Sequence, residues 1–132
     1  MRDRKTILLI EDDHLVSQAL GQALAVENFH VVPAANRNEA LRQVGQHAFD
    51  ILLLDLTPRA ENGWETLHSL TALQPNLPVV AMTARPEQQQ PNSAAHGVDV
   101  LLEKPLNLSV LLQTLKKLAA QTQNARRQDR NH

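Results

Sequence analysis

The chain has no cysteine among its 132 residues, which excludes a disulfide framework, a thiolate nucleophile and a cysteine-based zinc site. Nothing in it requires an oxidising compartment, and a reducing cytosol fits. No apolar run approaches the length of a bilayer span. The N-terminus, Met1-Arg2-Asp3-Arg4-Lys5, leads straight into a short apolar segment rather than a signal-peptide hydrophobic region. The expectation is a soluble, cytoplasmic protein with no membrane contact. An excess of either charge is also missing, because 13 basic residues stand against 14 acidic ones. The footprint of a nucleic-acid-binding domain is therefore absent over most of the chain, and no direct nucleic-acid contact is expected. Arg126, Arg127 and Arg130 form the one basic cluster, which reads as a solvated end. The chain carries no phosphate-cradling glycine loop, no dinucleotide fingerprint and no internal repeat. Its histidines show no i, i+4 pairing, which argues against a histidine metal site.

What the chain does have is a regular alternation. Short apolar runs at 7–10, 31–32, 51–54, 79–82 and 98–102 mostly lack the polar alternation of a half-exposed strand, so they read as strands covered on both faces. Between them lie segments with helical spacing. Leu15, Val16, Ala19, Leu20, Ala23 and Leu24 form one stripe; Ala40, Leu41 and Val44 a second; Leu67, Leu70 and Leu73 a third; Leu108, Leu111, Leu112, Leu115, Leu118 and Ala119 the strongest. Asp13, Asn36 and Asn107 stand where helix caps belong, and Gly63 and Gly97 where turns do. The segment 85–96 is a weak helix candidate, since Pro91 removes a backbone donor in its middle. Five strands alternating with about five helices imply an α/β fold of the flavodoxin-like, doubly wound kind: a parallel sheet in the order 2-1-3-4-5 with helices on both faces. One domain over 1–121 is expected, followed by a polar, flexible tail or linker over 122–132.

In a parallel sheet the carboxyl ends of all strands share one edge. Four of the apolar runs end there in residues able to handle phosphate or a hard cation: Glu11 and Asp12, Asp55, Thr83, and Lys104. Carboxylates, a hydroxyl and an ammonium would meet, a donor set suited to Mg²⁺ and to phosphoryl chemistry on Asp55. Asp13 reads as a helix cap, and Trp64 as a partly buried anchor at the start of the third helix.

These pieces resemble the receiver domains of two-component response regulators. The resemblance runs from about Lys5 to Gln121. It rests on Ile7-Leu8-Leu9-Ile10-Glu11-Asp12-Asp13, then Asp50-Ile51-Leu52-Leu53-Leu54-Asp55-Leu56, then Gly63, Met82-Thr83-Ala84 and Glu103-Lys104-Pro105. It implies that Asp55 is the phosphoacceptor, taking its phosphoryl group from a sensor histidine kinase or a phosphotransfer protein and signalling to an unidentified downstream effector. Asp12 and Asp55 would bind Mg²⁺ directly, Glu11 through water, and Thr57 through its backbone carbonyl. Lys104 would pair with the acceptor carboxylate, Thr83 would bond a phosphoryl oxygen, and a cis Pro105 would aim Lys104 inward. A phosphoacceptor with at most slow loss of phosphate is not an enzyme in the turnover sense.

Three positions depart from the family pattern. Pro58 comes one place early after Asp55, leaving Arg59 to face water; Leu101 replaces the usual Tyr or Phe; and Pro91 interrupts the fourth helix. These motivate an alternative, a receiver-like interaction module with weak or no phosphorylation-dependent switching. A phosphohydrolase with an aspartyl nucleophile ranks last, because Thr57 stands where such enzymes carry a second carboxylate.

Overall fold

The computed structural model describes residues 4–56, 63–85 and 97–130. Five parallel strands, β1 (Lys5–Ile10), β2 (Phe29–Ala34), β3 (Ile51–Leu56), β4 (Val79–Thr83) and β5 (Val100–Glu103), form one sheet in the order β2-β1-β3-β4-β5. Among the described residues there are four helices: α1 (His14–Val26), α2 (Arg37–Gln46), α3 (Gly63–Leu73) and α4 (Leu108–Arg130). The expected α/β class and strand order are what the chain adopts. The helix expected across 85–96 falls, apart from Arg85, outside the described residues.

Pleating divides the apolar side chains of each strand between two cores. Leu8, Ile10, Leu52, Leu54, Leu56, Val79 and Ala81 pack with Ala40 and Val44 of α2 and with Leu67 and Leu70 of α3. Ile7, Leu9, Ile51, Leu53, Val80 and Met82 pack with Leu24 of α1 and with Leu111, Leu115 and Leu118 of α4. Central strands covered on both faces need no polar alternation, which is why β3 is buried along its whole length. The outer edge of β2 resists strand addition, since Pro33 has no N–H and the Arg4 guanidinium donates to Phe29 O at 3.0 Å.

Several boundaries differ from expectation. β2 extends well beyond 31–32 because Lys5 to Ile10 of β1 supply partners for all of Phe29 to Ala34. β5 starts only at Val100, because Asp99 is occupied differently: its Oδ2 accepts from Val79 N at 2.8 Å and its N donates to Val79 O at 2.9 Å. Asp50 does the same for β1, accepting from Thr6 N and donating to Thr6 O, both at 2.8 Å. Gly63 is the buried first residue of α3 rather than a turn, whereas Gly97 does turn, at φ 81°. Asp13 Oδ1 caps α1 through Leu15 N and Val16 N, Asn36 Oδ1 caps α2 through Glu39 N, and Asn107 Oδ1 accepts from Val110 N at the start of α4. The backbone of α4 runs on through Thr122 as far as Arg130, into the stretch expected to be a polar tail or linker. That stretch contains no Gly or Pro and several good helix formers, so nothing in it stops a helix already nucleated upstream.

Candidate functional site

Register brings the strand ends level. Ile10 pairs with Leu54, Leu54 with Ala81, and Ala81 with Leu101, so the residues that follow emerge along one edge of the sheet. Carboxylate oxygens of Glu11, Asp12 and Asp55 lie within 4.8 Å of one another. Asp12 is exposed, but Glu11 and Asp55 are only 5% and 6% accessible. Two carboxylates this close repel each other when both are charged, and their burial weakens the screening that solvent gives.

Glu11 is fixed by its own neighbours. Its N–H donates to Ala34 O at 3.1 Å, and its Oε2 accepts from Asp13 N at 3.1 Å. Burial, foremost, pushes its carboxyl up to about 7; the hydrogen bond and the charge of Asp55 add to the rise, and the Asp13 amide opposes it. Asp55 sits near the end of fully buried β3, opposite Met82. Lys104 Nζ lies 2.5 Å from Asp55 Oδ1, and this buried oxygen has no other partner among the described residues. An under-satisfied buried oxygen, a second carboxyl held above its usual range and an exposed third carboxylate are a donor set that fits a small hard cation.

Lys104 reaches the site from the exit of β5. Its N–H donates to Thr83 O at 2.8 Å, which ties that exit to the end of β4, and the Lys104–Pro105 bond is cis, as expected. Thr83 is 2% accessible, and its Oγ1 accepts from Arg85 N at 3.1 Å. Leu101 is half-buried against the core under α2 and α3, and Trp64 packs on the same core. Thr57, Pro58, Arg59 and Pro91 lie outside the described residues, so the geometry bears on Glu11, Asp12, Asp55, Thr83 and Lys104 alone.

Two features of the site had no sequence signal. The backbone amides of Asp13 and Arg85 hold Glu11 and Thr83, and an amide is present at every non-proline position. The second feature is a rim: Leu15, Val16, Leu108 and Val110, at the starts of α1 and α4, are all exposed. Leu15 and Val16 belong to the stripe expected to face the core, yet Leu15 is 75% accessible. Leu24, deeper in α1, is buried in that core instead, with Leu20 packed against it.

A family model described as the response regulator receiver domain matches residues 7–116. The transcriptional regulatory protein ZraR of Salmonella typhimurium is 32% identical over 124 residues, covering 92% of this chain and 28% of that protein. The swarming motility regulation protein RssB of Serratia marcescens is 32% identical over 111 residues, or 83% of this chain and 51% of its own length. The chain thus spans about half the length, or less, of these curated relatives. Among solved structures, a CheY-like response regulator receiver domain protein from Methanospirillum hungatei superposes with a TM-score of 0.85 at 25% identity, covering 93% of this chain and 99% of that one. Sheet order, the converging carboxylates and the span of the family match agree, and the chain belongs to the response regulator receiver domain family.

Proposed function

We propose that this domain accepts a phosphoryl group on Asp55 from the phosphohistidine of a sensor kinase or phosphotransfer protein, and signals to an effector through altered surface contacts. The single observation carrying this reading is the convergence of Glu11, Asp12 and Asp55 within 4.8 Å, with Lys104 on the acceptor carboxylate. An oxygen of the Asp55 carboxylate attacks phosphorus, the P–N bond breaks, the imidazole keeps the electron pair and takes up a proton, and an acyl phosphate remains on Asp55. Glu11, Asp12, Asp55 and the Thr57 carbonyl would hold Mg²⁺, with Glu11 acting through water. When bound, the ion neutralises charge on the transferring oxygens. The Lys104 ammonium, on its long stem, follows the negative charge from carboxylate to phosphoryl group. The Thr83 hydroxyl donates to a phosphoryl oxygen.

The exposed rim of Leu15, Val16, Leu108 and Val110 gives a donor protein an apolar surface at the ends of the two helices beside this edge. Receiver domains are phosphoacceptors rather than turnover enzymes, and loss of phosphate to water is slow in this reading. No described helix is long and apolar enough to cross a membrane. We place the protein in the cytoplasm, where sensor kinases present their phosphohistidines. The receiver unit is residues 1–121, with 122–132 an appendage.

Acetyl phosphate with Mg²⁺ should add one phosphate to the intact protein by mass spectrometry. Asp55→Asn, or chelation of the metal, should abolish the addition. No mass shift in the wild type under these conditions removes the proposal.

A further inference from the structure

Thr83 is the junction of the site. Its carbonyl is taken by the Lys104 amide at 2.8 Å and its Oγ1 by the Arg85 amide at 3.1 Å. A hydroxyl has one proton to give and two lone pairs to accept with. The Arg85 N–H occupies one lone pair, and no acceptor for the hydroxyl proton is present among the described residues. The side chain is almost wholly buried, so water does not readily compete for either function.

We infer that the backbone N–H of Arg85 is a positioning group for phosphoryl transfer: by donating to Thr83 Oγ1 it fixes the hydroxyl as a donor, its proton free for the phosphoryl oxygen. The inference rests on the phosphoacceptor reading and adds a residue to it. The group that matters is the main-chain amide. The guanidinium of Arg85, on an exposed residue, takes no part. Without the lock the hydroxyl rotor is free to turn, and the ordering cost falls on the moment of transfer.

The test uses the intact chain with Mg²⁺ and beryllofluoride as the phosphoryl mimic. Apparent affinity is read by NMR titration. Thr83→Val should weaken binding about tenfold, and Thr83→Ser, which keeps the hydroxyl, by no more than about twofold. Arg85→Pro deletes the N–H and should cost about fivefold when Thr83 is present but nothing further on top of Thr83→Val. Arg85→Ala, which keeps the amide, should stay within about twofold of wild type. An equal cost of Arg85→Pro with and without the hydroxyl overturns the inference, as does an Arg85→Ala effect as large as that of Arg85→Pro. Should Arg85→Pro fail to fold, hydrogen exchange of the Arg85 amide in the wild-type protein decides. It should stay protected or become more so when beryllofluoride binds, and a roughly tenfold loss of protection sinks the lock. A wild type that binds no beryllofluoride fails at an earlier point, on the phosphoacceptor reading itself, and is thereby distinguished from a wild type that binds while the double-mutant cycle comes out additive.

Discussion

Glu11 shows how a single buried side chain sets a pH response. Its carboxyl titrates near 4.5 when exposed and at about 7 in the fold, chiefly because burial disfavours the charged form. Between those values the native state binds more proton than the unfolded state, so unfolding free energy falls as pH rises across that window. The cost to the metal-free fold above pH 7 is on the order of 3 kcal/mol. Melting in a chelating buffer should therefore show Tm dropping from pH 5 to pH 8. Glu11→Gln, which has no proton to lose there, should flatten that component. Mg²⁺ competes with the same proton, so its stabilisation should be larger at pH 8 than at pH 5. Parallel pH profiles for wild type and Glu11→Gln would refute this account of the carboxyl.

At the scale of elements, what could be read from the sequence depended on whether neighbours were needed. The run that became β3 was legible because a strand buried on both faces is apolar along its length, and the residue ending the run, Asp55, stood out against it. Glu11, Thr83 and Lys104 were legible for the same reason, as polar groups at the ends of apolar runs. β2 was not: His30 and Pro33, both exposed, interrupt its apolar residues, and its full extent exists only because β1 lies beside it. The stripe on α1 was misread at its first turn, since nothing in helical spacing separates a core position from an exposed apolar one such as Leu15. The same helix holds Gly21, where an added Cβ would meet only the Val31 side chain at 4.0 Å. That is an ordinary contact, so Gly21→Ala should stabilise the protein by about 0.5–1 kcal/mol by lowering the chain entropy lost on folding. Gly97 has open space around its missing Cβ but sits at φ 81°, so Gly97→Ala should destabilise it. Opposite shifts in denaturation midpoint would check both, and a destabilising Gly21→Ala would mean that α1 packs more tightly than its Cβ distances imply.

Taken as a whole, the molecule is a sheet with a helix longer than itself. Strands of four to six residues reach ~13–20 Å, and α4 covers that distance in its first ~21 Å, up to about Gln121. Among the described residues, the buried side chains that bind α4 to the sheet, Leu111, Leu115, Leu118 and Ala119, fall within that part. The backbone nonetheless stays helical to Arg130, which raises the question of whether the last turns belong to the folding unit. Hydrophobic burial dominates domain stability, the described apolar anchors of α4 precede Gln121, and the sequence beyond it is almost wholly polar, so the physics favours a unit that ends there. Removal of residues 122–132 should then leave Tm within about 3 °C of the intact chain, since losing a polar helical end costs only tenths of a kcal/mol. Phosphate uptake from acetyl phosphate should be unchanged, because Glu11, Asp12, Asp55, Thr83 and Lys104 are all tied to the opposite, carboxyl edge of the sheet. A drop of about 10 °C or more would assign the last turns of α4 to the core and move the domain boundary past Gln121.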